Sequence, residues 1–342
     1  MDGRGLLARS RNRAAEYMRP ALRSFAAILA LLALFYWAVR NAPLEDIWGA
    51  LRSLRLWQFA LLAAINALVV LFTAMRWWLI ARAESPSLPL LPLIGYRLSA
   101  FALSYFTLGP QVGGEPLQIM YLRRRHQFSF ARAASTVVID KLLEFLGNVV
   151  LIGIGLLALL QMGIFDGHAG PVRASWLALA AIVSLPPVYL ALLASNRRPI
   201  GAVLLFGFPV FARRKWLRLM IAAEYMAASF LRRHYGALLG ASIASLLGWV
   251  GMTIEYLLML RFLQIEIGLW QAFGALSASL MAFLIPLPGG LGALEASQVL
   301  VLGLLGYRPA QAIGLTLLMR ARDLVNAGFG VMLAGKELAI GG

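Results

Sequence analysis

Two pairs of oppositely charged residues stand out because each lies in a long apolar stretch of the chain. The pairs are Lys141 with Glu144 and Arg320 with Asp323. On a helix, residues three positions apart lie on one face, so each pair can form an ion pair. An arginine in an apolar setting can also bind phosphate oxygens through two parallel N–H groups. The spacing therefore predicts either internal charge pairing or the binding of a phosphate-bearing ligand.

The composition places these charges in a membrane. Of the 342 residues, 61% are hydrophobic and only 13% are charged, which is typical of a chain that crosses a bilayer several times. The net charge of +16 does not indicate nucleic-acid binding, because the basic residues cluster beside the apolar spans, as they do in cytoplasmic loops. The chain has no cysteine and its three histidines are far apart, so no disulfide can form and no metal or cofactor is predicted.

The depth of the charged pairs makes them candidates for a binding site. They lie about nine to fifteen residues into the apolar stretches 132–162 and 309–335. At 1.5 Å per residue, this is near the middle of a hydrocarbon core about 30 Å thick. An ionisable group there costs roughly 2.5–3.5 kcal/mol on insertion scales, so it needs a functional reason. We predict that Lys141, Arg320 and Arg322 bind a lipid phosphate; the alternative is that the pairs only pin the two halves of the protein together.

Two segments rich in proline and glycine interrupt other apolar stretches. They are Pro110, Gly113 and Gly114 in the first segment, and Pro286, Pro288, Gly289, Gly290 and Gly292 in the second. Proline breaks a helix and glycine permits unusual backbone angles, so each segment predicts two half-helices that meet inside the membrane. The second half-helices, beginning near Gly114 and Gly290, would direct positive dipole ends and free N–H groups at an anion. Glu115 and Glu295 are predicted either to cap these N–H groups or to contact a cationic headgroup or carry a proton.

The same order of features appears twice. When Pro110 is aligned with Pro286, both glycine pairs also coincide, and a nearly equal shift places Lys141 on Arg320 and Glu144 on Asp323. Arg322 and Asp140 fall on uncharged residues in this alignment. The arginine is therefore predicted to meet an anion, and the aspartate to be a proton site or a partner of Lys141. Paired interruptions in two halves of a chain indicate the binding site of a transporter.

The predicted fold is an all-α polytopic membrane protein with two inverted repeats, about six full transmembrane helices and two re-entrant broken-helix hairpins. Its parts are a basic cytoplasmic N-terminus (1–21), a first repeat (22–163) and a second repeat (174–336), which includes a basic interfacial segment (196–235). If each hairpin enters and leaves on one side, the basic clusters share a side, as the positive-inside rule requires. We expect an integral protein of the cytoplasmic (inner) membrane with both termini in the cytoplasm.

Four stretches carry a resemblance to a known family. They are GPQVGGEPLQIMYLRRR, RAASTVVIDKLLEFLG, PLPGGLGALE and LLMRARDLVNAGFG. Together they resemble the flippase-like transmembrane domain family, which includes the membrane region of lysylphosphatidylglycerol synthase/flippase, over about residues 20–336. The resemblance implies handling, and in particular translocation, of a lipid or polyprenyl-linked headgroup. The soluble C-terminal aminoacyltransferase domain of the bifunctional members is not in this sequence, so we do not expect synthesis of aminoacylated lipid.

The predicted function is that of a lipid flippase- or scramblase-like transporter that moves or binds a phospholipid or polyprenyl-linked headgroup at a midplane cationic site. Its expected partners are membrane lipids, anionic or phosphate-bearing, and not nucleic acid. The alternatives are an intramembrane lipid-modifying enzyme and a scaffold for lipid-synthesis enzymes. No catalytic motif is present, so no catalytic residue is predicted, although acid–base chemistry by Glu115 or Asp140 stays open. Small residues at Gly236, Gly240 and Gly248 would also allow a homo-oligomer.

Overall fold

The computed structural model describes residues 54–107, 113–161, 215–285 and 287–339, together with parts of 184–199. Several sequence predictions lie outside the described residues. These are the basic N-terminus, the start of the first repeat (22–53), both prolines at the centre of the breaks (Pro110 and Pro286), and residues 200–214 of the basic interfacial segment.

The described elements are all helices, and no strand occurs among the described residues. They are α1 (Leu56–Glu84), α2 (Leu90–Phe106), α3 (Glu115–His126), α4 (Phe130–Gln161), α5 (Lys215–Arg233), α6 (Tyr235–Phe262), α7 (Leu269–Leu284), α8 (Ala293–Leu304) and α9 (Pro309–Ala339). By length and apolar composition, α1, α4 and α6 can each cross a membrane, and α2 and α7 are shorter apolar helices. The prediction of an all-α membrane protein is thereby confirmed.

The order and lengths of eight helices recur. Helices α1 to α4 have 29, 17, 12 and 32 residues, and α6 to α9 have 28, 16, 12 and 31. The starts of corresponding helices are separated by a nearly constant interval along the chain. Each set of four therefore consists of a long helix, two shorter helices separated by a break, and a second long helix.

The first helices of the two sets, α1 and α6, pack along each other in opposite directions. Near one end of the pair, the rings of Trp57 and Phe262 lie edge to face with centroids 5.6 Å apart. Near the other end, Leu79 lies against Gly240. Residue numbers rise along α1 as they fall along α6, so the two helices are antiparallel.

The remaining long helices pack crosswise between the sets. Helix α4 lies against α7, and α9 lies against α2. Both contacts depend on a glycine, because a Cβ at Gly155 would come within 2.3 Å of the Phe273 carbonyl oxygen and one at Gly330 within 2.1 Å of that of Leu98. The Ser99 hydroxyl also donates to the Gly330 carbonyl at 3.0 Å. Helix α4 corresponds to α9, and α7 corresponds to α2. The α4–α7 and α9–α2 pairs are therefore equivalent contacts in the two sets.

Both glycine-rich segments separate helices, as the sequence predicts. In the second, a 3₁₀ turn at Pro288–Gly290 follows α7, and Gly289, Gly290 and Gly292 have φ values of 58°, 65° and 79°. Such angles favour glycine because it has no Cβ. Helix α8 begins at Ala293, so the expected start near Gly290 is slightly too early. In the first segment, Gly113 has φ of 131° and α3 begins directly after Gly114.

Helix α5, which lies in the basic interfacial segment, has one buried face and one charged end. Its buried side chains include Ala227 and Phe230, which pack on the face of α4, whereas Arg232 and Arg233 are exposed. The position of this helix at the membrane surface stays a prediction.

Candidate functional site

Four charged side chains from α1, α2 and α4 form a closed network. Arg76 on α1 contacts Asp140 through Nε at 2.6 Å and Glu144 through Nη2 at 2.9 Å. Arg97 on α2 contacts the same two carboxylates at 2.5 and 2.7 Å. Arg76 and Asp140 are only 1% and 0% exposed. Each guanidinium therefore contacts both carboxylates. Several charge-assisted hydrogen bonds of this kind are needed when charges are buried.

Lys141 joins this network to the first break. Its ammonium lies 3.0 Å from Glu144, which confirms the predicted i, i+3 pair, and 3.4 Å from Glu115. The other oxygen of Glu115 accepts the backbone N–H of Gly113 at 2.7 Å. Glu115 therefore caps the break, as one of the two predictions for it states, and also ties the start of α3 to α4.

Arg320 makes the corresponding connection at the second break. Its Nε lies 2.5 Å from Glu295, and its Nη1 and Nη2 donate to the carbonyls of Gly289 and Gly290 at 2.9 and 3.4 Å. Glu295 in turn accepts the N–H of Gly292 at 2.8 Å. In both sets, a basic residue on the last helix holds a glutamate that caps the break.

One prediction about the second charged pair is wrong. The sequence pairs Arg320 with Asp323, but among the described ion pairs its partner is Glu295, because its guanidinium also donates to the buried carbonyls of Gly289 and Gly290 at the break. Arg322, which aligns with an uncharged residue of the first half and is predicted to meet an anion, pairs with the carboxylates of Glu255 on α6 at 3.1 Å and of Asp323 at 2.8 Å. Its binding of a lipid phosphate stays a prediction. An unpaired guanidinium would be costly among apolar helices, and α6 supplies a carboxylate for it.

A cavity of about 220 Å³ lies between the network around Arg76 and the ion pairs of Arg322. Six charged side chains form part of its wall: Arg76, Arg97, Glu144, Glu255, Arg322 and Asp323. Three are cationic and three are anionic, and they come from α1, α2, α4, α6 and α9. The cavity is therefore a shared feature of both sets of helices.

Two apolar grooves adjoin this polar cavity. One, of about 510 Å³, runs between α1, α2 and α9, is lined by residues such as Phe59, Leu71 and Phe329, and shares the side chains of Val70 and Leu98 with the cavity. The other, of about 410 Å³, lies between α4 and α6 and meets the cavity at Ser245 and Trp249. A molecule with a polar head and an apolar tail fits this combination of spaces.

The family model described as the lysylphosphatidylglycerol synthase TM region matches residues 24–330. The chain belongs to this family. Membership indicates a lipid-related function in a membrane, in agreement with the apolar helices and with the cavity. Comparisons with curated proteins and with solved structures each gave no match.

Within this member of the lysylphosphatidylglycerol synthase TM region family, the predicted site residues divide into three groups. Glu144, Arg322 and Asp323 line the central cavity. Asp140 lies behind the cavity wall between two arginines. The remaining four hold the breaks: Glu115, Lys141, Glu295 and Arg320.

Sequence reasoning missed three residues of the cavity wall, namely Arg76, Arg97 and Glu255. Each is an ionisable residue in an apolar stretch of its helix, which is itself a signal of function. Trp77 and Trp78 favour the membrane interface for the adjacent Arg76, although α1 continues beyond it to Glu84. The shift that places Lys141 on Arg320 also places Arg76 on Glu255. Because these two residues have opposite charges, a comparison of like residues did not detect the correspondence.

Proposed function

We propose that this protein is a lipid flippase- or scramblase-like transporter. In this proposal the phosphate-bearing headgroup of a phospholipid or polyprenyl-linked lipid occupies the central cavity, and a hydrocarbon chain occupies the adjoining groove. The observation that carries the proposal is the continuity between a charged cavity and an apolar groove, which share Val70 and Leu98 in their walls. A soluble metabolite would not need the groove, and a scaffold would not need charges at this depth.

Arg97 and Arg322 are the side chains best placed to bind the phosphate. They are 15% and 19% exposed, whereas Arg76 is almost completely enclosed by its acidic partners. Arg97 uses two of its guanidinium nitrogens in ion pairs, and its remaining N–H groups are available to a phosphate oxygen. Its carboxylate partners hold it in place, so little side-chain freedom is lost on binding.

We also infer that α1–α4 and α6–α9 are inverted repeats, with α2–α3 and α7–α8 as re-entrant hairpins. Corresponding helices α1 and α6 are antiparallel. Exchanging two antiparallel helices requires a two-fold axis perpendicular to them, which would lie in the plane of the membrane. The proposal of about six crossings, with both termini on the cytoplasmic side of the inner membrane, includes two spans that lie largely outside the described residues.

The ion pairs at the breaks suggest how access to the cavity would alternate. Glu115 is tied to Lys141 at one break, and Glu295 is tied to Arg320 at the other. Opening one hairpin toward its side of the membrane would separate one pair while the other stayed closed. Alternation of this kind between inverted repeats is a common transport mechanism.

Lipid movement in reconstituted vesicles tests the proposal. Phospholipids labelled on the acyl chain with a fluorophore are bleached from outside, and the rate at which inner-leaflet label is lost reports translocation. Arg97→Ala also removes two ion pairs, so rates are compared only for protein that elutes as a folded, monodisperse species in detergent. In that fraction it is expected to slow translocation by about tenfold or more, because one charged hydrogen bond to the phosphate, of about 1.5–3 kcal/mol, is lost. Arg308→Ala, which removes an exposed arginine outside the cavity, is the matched control and should translocate at the wild-type rate.

The same vesicles distinguish a transporter from a lipid-modifying enzyme. We expect the mass of each lipid to be unchanged after incubation with the protein. A translocation rate equal to that of protein-free vesicles would contradict the transport proposal. A chemically altered lipid would favour the enzyme.

A further inference from the structure

The charges around the central cavity balance one another. Its wall contains three arginines and three carboxylates, and Asp140 adds a fourth carboxylate directly behind the wall. Lys141, which pairs with Glu144 from outside the wall, matches Asp140 in number and sign. A headgroup with only a negative charge would therefore unbalance an environment in which cationic and anionic groups are equal in number. In a membrane interior of low dielectric constant, such an imbalance is unfavourable.

One carboxylate of the wall has an unused acceptor. Glu255 is 1% exposed, and its Oε2 contacts Arg322 at 3.1 Å. Its Oε1 has no hydrogen-bond donor among the described residues, although Asn66 lies beside the same carboxylate. A buried carboxylate oxygen without a donor is costly. Glu255 lines both the polar cavity and the apolar groove, so a small rotation of its side chain would present this oxygen to a donor on a bound lipid.

We propose that the cavity takes a zwitterionic phospholipid headgroup, in which a phosphate is joined to a primary ammonium, as in phosphatidylethanolamine. The ammonium donates to Glu255 Oε1, and the phosphate binds the exposed N–H groups of Arg97 and Arg322. The ammonium then meets a carboxylate and the phosphate meets two arginines, so each charge of the headgroup has partners of the opposite sign. This inference rests on the proposed function of the cavity and adds the chemical class of its ligand.

The number of N–H groups on the headgroup determines the expected preference. Ethanolamine carries an ammonium with three donors, whereas choline carries a quaternary nitrogen with none, and glycerol carries no positive charge. All three headgroups share the phosphate. The structure therefore predicts the fastest movement for phosphatidylethanolamine, a decline with each added N-methyl group, and slow movement for phosphatidylcholine and phosphatidylglycerol.

The test uses wild-type protein in vesicles with acyl-labelled phosphatidylethanolamine, its monomethyl and dimethyl derivatives, phosphatidylcholine and phosphatidylglycerol. We expect phosphatidylethanolamine to move at least about tenfold faster than phosphatidylcholine or phosphatidylglycerol, because one charge-assisted hydrogen bond distinguishes them. Equal rates for all five lipids, or fastest movement of phosphatidylglycerol, would overturn the inference while leaving the proposed transport intact.

A substitution tests whether Glu255 causes the headgroup preference. Glu255→Gln removes the negative charge at nearly constant volume, and it should reduce the ratio of phosphatidylethanolamine to phosphatidylglycerol rates to near one. Glu266→Gln, in the exposed loop after α6, is the matched control and should keep the wild-type ratio. An unchanged ratio in Glu255→Gln would show that the ammonium lies elsewhere and would overturn the assignment.

A measurement of lipid binding shows whether the headgroup inference or the transport proposal has failed. If no lipid moves faster than in protein-free vesicles, transport is refuted. The retention of each lipid class by the purified wild-type protein, measured by native mass spectrometry, then tests the headgroup preference directly. Preferential retention of phosphatidylethanolamine over phosphatidylcholine and phosphatidylglycerol supports the inference, and equal retention contradicts it.

Discussion

At the scale of single residues, most of the charges within the apolar helices meet partners from other helices. Arg76 illustrates this, because it contacts Asp140 and Glu144 of α4 and also lies 3.4 Å from the Ser245 hydroxyl of α6. A charge held in this way stabilises the packing of three helices. Its removal leaves buried carboxylates with fewer partners, which is far more costly than loss of an exposed ion pair.

We therefore expect Arg76→Met to destabilise the protein strongly. The substitution removes two buried ion pairs, and breaking one such pair typically costs about 3–5 kcal/mol. Thermal unfolding of the purified protein in detergent should show a large decrease in Tm.

Arg82→Met is the matched control for this prediction. Arg82 lies near the end of the same helix, is exposed and stacks over the Trp78 ring at 4.8 Å. Its loss should cost no more than about 1 kcal/mol, the value of an exposed cation–π contact. Equal Tm values for Arg76→Met and Arg82→Met would contradict the stabilising role assigned to the buried network.

At the scale of helices, close packing between the two sets depends on individual glycines. Gly155→Ala and Gly330→Ala should each destabilise the protein by about 1–3 kcal/mol, because the new Cβ would overlap a backbone oxygen of the neighbouring helix. Gly153→Ala and Gly328→Ala place a methyl where nothing lies within 4 Å. These controls should be neutral or stabilising by up to about 1 kcal/mol. Unfolding temperatures that do not separate the two groups would contradict the helix contacts.

The second break depends on the shape of the Arg320 side chain. Its guanidinium contacts Glu295 and two carbonyls at once, and the single ammonium of lysine cannot reproduce this fork. In Arg320→Lys we expect faster hydrogen exchange of the backbone amides in residues 287–295. Lys141→Arg, at the corresponding position of the first set, is the control and should leave exchange in this segment unchanged. Unaltered exchange in Arg320→Lys would mean that the break is held by other contacts.

Local features of the chain were easier to predict from the sequence than contacts between helices. The breaks and the Lys141–Glu144 pair were predictable, because glycine, proline and i, i+3 spacing act locally along the chain. The partners of Arg320 and Arg322 were not, because they depend on which carboxylate another helix presents. Glu255 reaches Arg322 only through the packing of α6 beside α9, which local pattern does not encode.

At the scale of the whole molecule, the recurrence of four helices predicts where corresponding loops lie. The loop after α3 and the loop after α8 occupy the same position in the two sets, so inverted repeats place them on opposite sides of the membrane. The chain has no native cysteine, which makes single-cysteine labelling straightforward. We expect His126→Cys to react with an impermeant reagent only from the cytoplasmic side and Tyr307→Cys only from the opposite side. Labelling of both from the same side would refute the inversion.

The central claim, that a lipid spans the polar cavity and the apolar groove, is tested most directly by blocking the junction between them. Val70 lines both spaces, so Val70→Trp should fill the junction, whereas Leu68→Trp adds the same ring at an exposed position on α1. Native mass spectrometry of the two purified variants measures how much phospholipid each retains. The structure predicts that Leu68→Trp retains phospholipid as the wild type does and that Val70→Trp loses it. Equal retention by the folded variants would contradict lipid binding at this site.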